Sequence, residues 1–472
     1  MKHGFGFTFI LPLAALVLTC CASHPSLPQT IPASTREAAS IDRAQVAPAW
    51  VPILADDADS NRKWSGSKAR FPTRNKYVGI YNNPQYTPLM DLVNRAKKTI
   101  DIEIYMMTDF AFRTALRKAL ARKVNIRIVK DPSPLGENCG FFNTDLSLIP
   151  PTPSSDLAIK ISPDCLDQRK LMSEIKLSGG SVVAFDKQQL CGQIGNAAPA
   201  RCFEHGKIVI IDRVDLRGRL ALISTGNFNS SNLCVLDDKP TTCNRDYSYV
   251  TRDPIVISGL VKIFEDDFKQ IKFKNDRPEL EGKLTVSPYT KKPLIKFIES
   301  AVTRIQVQNQ YMKDRDINAA LMAAARRGVA VEMMLASDCS FFAPKEPVRT
   351  TLANMYTELE SAGVKLRFFT AQIMQRQRKG YLHAKAIVVD DQRAWVGSTN
   401  GSSTSLDVNR EYGIFFSQPA RVKFLSSVMS ADWADSLGET WQEAFSCKRD
   451  FLTPEQKALI PVDVGSDSSA TE

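Results

Sequence analysis

Two histidines pose the question of chemistry. His205-Gly206-Lys207 runs through Ile208-Val209-Ile210-Ile211 to Asp212, and His383-Ala384-Lys385 runs through Ala386-Ile387-Val388-Val389 to Asp390. Both stretches read H-x-K-x4-D. Gly397-Ser398-Thr399-Asn400 follows the second, and Gly226-Asn227-Phe228-Asn229 stands in the matching place after the first. With each fixed residue at roughly one-in-twenty odds, one such pattern is an accident, but two with similar tails are not. The chain has 4 histidines, and His3 and His24 lie in a leader and a linker. The folded body therefore keeps its whole imidazole supply inside the two motifs.

Paired imidazoles suit phosphodiester cleavage through a covalent intermediate. One neutral imidazole attacks phosphorus, a second imidazolium protonates the departing alkoxide, and water or an alcohol then releases the phosphohistidine. Lys207 and Lys385 each follow a histidine by two residues, which on a strand places both side chains on one face, beside the crowded phosphorus. Asn227, Asn229, Ser398 and Asn400 are candidate phosphate donors. The stretches Asn229-Ser230-Ser231-Asn232 and Gly401-Ser402-Ser403-Thr404 are candidate helix starts with N–H groups towards the anion. A nucleophilic imidazole also needs an acceptor on its other nitrogen. The motif acids Asp212 and Asp390 lie beyond an apolar strand of about 16 Å at roughly 3.3 Å per residue, so they are expected to be mainly structural. Asp246 and Glu411, in Asn244-Arg245-Asp246-Tyr247 and Asn409-Arg410-Glu411-Tyr412, are the expected orienters. This scheme needs no cofactor. The chain also lacks H-E-x-x-H and paired C-x-x-C spacings, so no metal site is expected.

The elements that must position these residues occur twice. Arg95 to Met106 matches Ala301 to Met312, each a helix end feeding an alternating strand that closes on Tyr-Met. A helix follows in each half (Phe112 to Arg122, Ile317 to Arg327), then a strand (Val124 to Val129, Ala330 to Leu335). Another helix and strand precede each motif: Leu171 to Leu177 with Val182 to Phe185, and Met355 to Ser361 with Lys365 to Phe369. The apolar runs Ile208 to Ile211 and Ala386 to Val389 read as buried strands, followed by strands at Leu220 to Ser224 and Ala394 to Val396. Helices alternating with strands imply an α/β fold of mixed sheets covered by helices. The expected organisation is a signal segment at 1–21, a linker at 22–75, α/β units at 76–283 and 284–450, and a polar tail at 451–472. Cys139-Gly140-Phe141-Phe142 answers Cys339-Ser340-Phe341-Phe342, and Ile149-Pro150-Pro151-Thr152-Pro153 is an insertion in the first copy.

The doubled H-x-K-x4-D pattern resembles the phospholipase D superfamily, whose members carry two such motifs. The resemblance implies two tandem pseudo-symmetric phospholipase D-like domains with one active site at their interface, and a phosphohistidine intermediate, with His205 favoured as nucleophile. It also implies an acidic residue downstream of Gly-Ser-x-Asn as the holder of each histidine, which fits Asp246 and Glu411. Asn227 opposite Ser398 departs from the usual Gly-Ser or Gly-Gly. The superfamily includes phospholipases, phosphatidyltransferases such as cardiolipin synthases, nucleases and polyphosphate kinases, and fold and motif do not choose among them.

Composition narrows the partners. The 472 residues carry a formal charge of +10, which favours a phospholipid or other phosphodiester substrate, an anionic membrane surface, or nucleic acid. Lys2 and the apolar run Phe5 to Leu18 read as an export signal. Cys21 (or Cys20) at its end is the expected lipidation site of a membrane-anchored lipoprotein facing periplasm or exterior. Both motifs lie in one chain, so a monomer is expected. These features favour phospholipase D-type hydrolysis or phosphatidyl transfer. One alternative is a nuclease, with Arg376-Gln377-Arg378-Lys379 leading to Tyr381 as its basic track, and another is a phosphatidyltransferase similar to the cardiolipin synthases. In an exported chain the remaining cysteines suggest disulfides, with Cys191–Cys202 and Cys234–Cys243 as the short-loop pairings.

Overall fold

In each half an alternating segment becomes the middle of a sheet, and the alternation divides two buried faces rather than core from solvent. All six residues of β2 (Thr99–Ile104) are buried. Ile100, Ile102 and Ile104 enter an outer apolar core, while Asp101 and Glu103 point the other way and are equally buried. In β9 (Arg304–Asn309), Ile305 and Val307 do the same, with Gln306 and Gln308 on the opposite face. Polar residues on a strand's second face therefore mark an internal polar layer here. A buried carboxylate has to find partners, and Asp101 pairs with Arg127 and Arg213.

The computed structural model describes residues 78–82, 87–132, 134, 163–192, 202–233, 243–272, 274–337, 344–370, 380–435 and 437–446. All lie within one compact unit, Pro48–Glu472. The expected signal segment with Cys21, the linker, the insertion at 149–153, the basic stretch at 376–379, the tail, and Cys139, Cys234, Cys339 and Cys447 lie outside the described residues.

The first sheet contains β1 (Gly79–Asn82), β2, β3 (Asn125–Lys130), β4 (Ser181–Ala184), β5 (Lys207–Ile211), β6 (Leu220–Ser224) and β7 (Tyr247–Thr251). The second contains β8 (Leu284–Val286), β9, β10 (Ala330–Ala336), β11 (Lys365–Phe369), β12 (Lys385–Val389), β13 (Arg393–Gly397) and β14 (Tyr412–Phe416). Their orders, β1-β7-β6-β5-β2-β3-β4 and β8-β14-β13-β12-β9-β10-β11, are the same order twice. Each sheet is mixed: β2, β3 and β4 run parallel, while β5 lies antiparallel to β2 and β6. This is the two-domain α/β arrangement that the sequence implies.

The helices after β2 and β9 span Phe110–Ala121 and Arg315–Arg326, two residues earlier than the apolar pattern suggests. The side chains of Asp109 and Asp314 accept the first free N–H groups and set those starts. Two further helices, Pro254–Phe268 and Pro419–Ala434, follow β7 and β14, each with proline in its first turn. A shared apolar core lies between the sheets. Ile208, Ile210, Ala221 and Ile223 of the first half join Ala386, Val388, Ala394 and Val396 of the second, with Ile257, Leu260, Val422 and Leu425 from those helices. Each buried Ile or Leu contributes about 1.5–3 kcal/mol, so the association of the halves rests on a core as extensive as either outer one.

Cys191 and Cys202 are disulfide-bonded, closing the loop before the first motif as expected. Cys165 and Cys243 each take part in a disulfide as well.

Candidate active site at the junction of the two halves

Each histidine ends a short extended segment that pairs with the opposite half. His205 N–H donates to the Arg410 carbonyl at 2.9 Å, and Arg410 N–H to the Phe203 carbonyl at 3.0 Å. In the mirror arrangement, Arg245 N–H donates to Tyr381 at 2.9 Å and His383 N–H to Arg245 at 3.0 Å. The side chains follow the same crossing. His205 Nδ1 lies 2.9 Å from both oxygens of Glu411, and His383 Nδ1 lies 2.9 Å from Oδ1 of Asp246. The expected orienters thus touch the imidazoles, but each carboxylate serves the histidine of the other half. A carboxylate on Nδ1 fixes the proton there and leaves the lone pair on Nε2.

The two carboxylates are held by matching sets. Glu411 accepts from Ser405 Oγ and from Asn409 Nδ2 at 3.2 Å. Asp246 accepts from Thr225 Oγ1 at 2.6 Å and Asn232 Nδ2 at 2.7 Å. Burial pushes both carboxyls up, but the facing imidazole and its hydrogen bond outweigh it, with Lys207 helping at Glu411 and Lys385 at Asp246. Both therefore titrate below the ordinary carboxylate range. Tyr105 meets His205 edge-on at 4.9 Å between ring centres, and Tyr381 meets His383 at 5.6 Å. Lys207 Nζ donates to the His205 carbonyl and Lys385 Nζ to that of His383, each at 2.6 Å. Each lysine is thus tied to the backbone of its own histidine.

The structure changes the register of the second tail. Ile208 faces Ile223 across β5 and β6, and Ala386 faces Val396 across β12 and β13. Thr225 therefore answers Ser398, and Asn227, not Asn229, answers Asn400. The glycine of Gly226 led the alignment astray by two residues. Tyr247 N–H donates to Thr225 Oγ1 at 2.9 Å, and Tyr412 N–H to Ser398 Oγ at 3.0 Å, so the two hydroxyls do the same backbone work. Asn229 is a helix cap: its Oδ1 accepts Asn232 N–H at 3.0 Å, as Ser402 Oγ accepts Ser405 N–H at 3.3 Å. The expected helix starts exist, at Ser230–Leu233 and Ser403–Asp407, and each of these side chains caps one N–H of its first turn. Asn227 and Asn400 are buried, and each keeps a side-chain oxygen without a hydrogen bond among the described residues.

Asp212 and Asp390 are far from this chemistry. Asp212 accepts the backbone N–H groups of Lys97, Lys98 and Thr99, and Asp390 those of Val302, Thr303 and Arg304. Both sit at positive φ, +52° and +55°, where Asp is among the better-tolerated residues.

Sequence reasoning missed the pairs that lock the crossing. Arg245 grips Asp432 in two bonds, at 2.9 and 2.6 Å, and Arg410 grips Asp267 at 2.6 and 2.8 Å. Each pair is buried and joins opposite halves. The signal was available, because Asp267 follows Asp246 at the spacing at which Asp432 follows Glu411.

The family model described as "Cardiolipin synthase, PLD-like domain" matches residues 89–271 and 294–433, more than half of the chain. Cardiolipin synthase of Clostridium perfringens is 33% identical over 139 residues, which is 29% of this chain and 26% of that protein. Cardiolipin synthase A of Pseudomonas aeruginosa is 28% identical over 158 residues, 33% of this chain and 29% of that protein. The chain thus spans less than a third of the length of these relatives. The solved phosphatidylserine synthase of Haemophilus influenzae shares the fold, with a TM-score of 0.52 at 12% identity, over 82% of this chain and 93% of that one.

Proposed function

The chain belongs to the phospholipase D-like domain family of the cardiolipin synthases, and on that basis we propose that it is a phosphatidyltransferase that moves the phosphatidyl group of one phospholipid to an alcohol acceptor through a phosphohistidine. The relatives support a phospholipase D-superfamily enzyme acting on phosphodiester bonds. The observation that supports a phosphohistidine route is the crossed pair of imidazole–carboxylate contacts, His205 on Glu411 and His383 on Asp246.

In this reading His205 Nε2 attacks phosphorus, and His383, as imidazolium, protonates the leaving alkoxide. His383 then removes the proton from the incoming hydroxyl as that oxygen attacks the phosphohistidine. Glu411 and Asp246 stabilise the imidazolium forms and hold the rings in place. Lys207 and Lys385 supply positive charge at the non-bridging oxygens. Asn227 and Asn400 hydrogen-bond the phosphate, once each amide turns its NH2 group inward. His205 is 6% exposed and His383 fully buried, so both rings are screened from bulk water until a substrate enters. The charge of +10 suits an anionic membrane surface, and lipidation at Cys21 would keep the enzyme there as a monomer.

The test is the pure protein with vesicles of phosphatidylglycerol, in parallel with phosphatidylcholine and with plasmid DNA. The reading expects a two-phosphate lipid and free glycerol from phosphatidylglycerol. Phosphatidic acid as the main product would make the enzyme a phospholipase. Cleaved DNA with intact lipid would make it a nuclease.

A further inference from the structure

Beside the His205 segment lies a group of acids that the transfer chemistry does not use. Glu103 sits on β2, Glu204 directly precedes His205, and Asp267 lies near the end of the helix Pro254–Phe268. One carboxylate oxygen from each lies within 4.8 Å of those of the other two, and all three side chains are fully buried. Asp267 is held by Arg410, and one oxygen of Glu103 accepts the Tyr412 hydroxyl. The other oxygen of Glu103 and both oxygens of Glu204 have no hydrogen-bond partner among the described residues. A fully buried carboxyl group whose oxygens find no hydrogen bond calls for a partner, and a bound ion would supply one.

The internal repeat supplies a control. Glu103 faces Ile208 across the sheet as Gln308 faces Ala386, so Gln308 takes the place of Glu103 in the second half. Leu382 takes the place of Glu204, and Asp432, held by Arg245, that of Asp267. The second copy is balanced, with one aspartate on one arginine. The first copy has the same ion pair plus two further buried carboxyl groups. The donors are all carboxylate oxygens, which select a hard cation, and calcium at about 2.3–2.6 Å from its ligands tolerates oxygen separations of this size better than magnesium at about 2.0–2.1 Å.

We propose that Glu103, Glu204 and Asp267 bind one divalent cation of the calcium class, as a structural clamp. The ion would tie β2 and the His205 segment to the helix that carries Asp267, and through Arg410 to the segment of the other half that bears Glu411. Its ligands come from three distant stretches of chain, which is why no clustered spacing announced a metal. The proposal does not depend on which phosphodiester the enzyme takes.

The test uses full-length protein stripped with chelator and no lipid substrate. Titration with calcium chloride, followed by calorimetry and thermal unfolding, is expected to show about one ion per chain and a rise in Tm. The double variant Glu103→Gln with Glu204→Leu copies the second half at this place, and should bind calcium at least tenfold more weakly and lose the Tm response. If it does not fold, Glu204→Gln is read in the same way. A wild type that neither binds calcium nor shifts its Tm would overturn the proposal and leave the two carboxylates holding protons. Undiminished binding by the folded variant would place the ion elsewhere, and magnesium bound as tightly as calcium would overturn the choice of the larger ion.

Discussion

Replacing Glu411 by glutamine removes a charge from one half of the molecule and should disable an imidazole in the other. The substitution is close to isosteric. With its oxygen where Oε1 now lies, glutamine still accepts from Ser405, Asn409 and His205, so the fold should hold. What is lost is the anion 2.9 Å from Nδ1 as the ring becomes positive. Two unit charges about 4 Å apart at an effective dielectric near 20 interact by about 4 kcal/mol. At about 1.4 kcal/mol per tenfold, that is a loss of roughly 10³ in the step that charges His205. The assay is rapid-quench single turnover with a phospholipid labelled in its phosphate, following acid-labile, base-stable label on the protein. Loading should fall by that factor with thermal unfolding almost unchanged. In turnover of the same lipid, His205→Ala combined with Glu411→Gln should be no worse than His205→Ala alone, because the carboxylate acts through the ring. A loss under fivefold in the single variant, or additive losses in the double, would refute the crossed assignment.

Other outcomes follow from the same contacts. Asp212→Ala should cost about 2–4 kcal/mol of stability, since three backbone N–H groups lose a charged acceptor, yet leave turnover per folded molecule intact; chemical denaturation with active-site titration separates the two. Arg245→Met should destabilise by about 3–5 kcal/mol by stranding Asp432 in the buried layer, and Arg245→Met with Asp432→Leu should recover much of that in the same melts. Asp246 and Glu411 have depressed pKa values in the fold. Their contribution to stability is therefore complete above the unfolded value of about 4 and is lost only as pH falls through the lower folded values. Tryptophan fluorescence should then stay native down to about pH 4 and be lost only below it. Unfolding that begins well above about pH 5 would contradict this.

The local parts of the design could be read from the chain. The motif strands, the strand Lys365–Phe369, the strand Leu220–Ser224 and the doubled order of elements depend on period and spacing, which sequence carries directly. Reach set aside the motif acids, which lie beyond a strand, while the repeated Asn-Arg-[Asp/Glu]-Tyr segments and the family resemblance pointed to Asp246 and Glu411. Which carboxylate serves which histidine depends on how two sheets pack, and no local pattern encodes that. The register of Asn227 against Asn400 failed for a related reason. A glycine offers no side chain to align by, and only strand pairing fixes the offset. The buried polar layer that Asp101 and Glu103 enter had no signature in the sequence, because alternation is the same whether the second face meets water or a buried polar layer.

The crossing of the two histidine contacts has a consequence for how the chain can be divided. A repeat isolated from its twin would possess an imidazole but no base to steer it, and a carboxylate with nothing to steer. Separate polypeptides carrying 76–283 and 284–450 should each be inert and regain turnover only on reassembly, as complementing fragments. The order of the two repeats along the chain, by contrast, is irrelevant to the geometry, so a circular permutant that joins the end of the second to the start of the first is free to build the same junction.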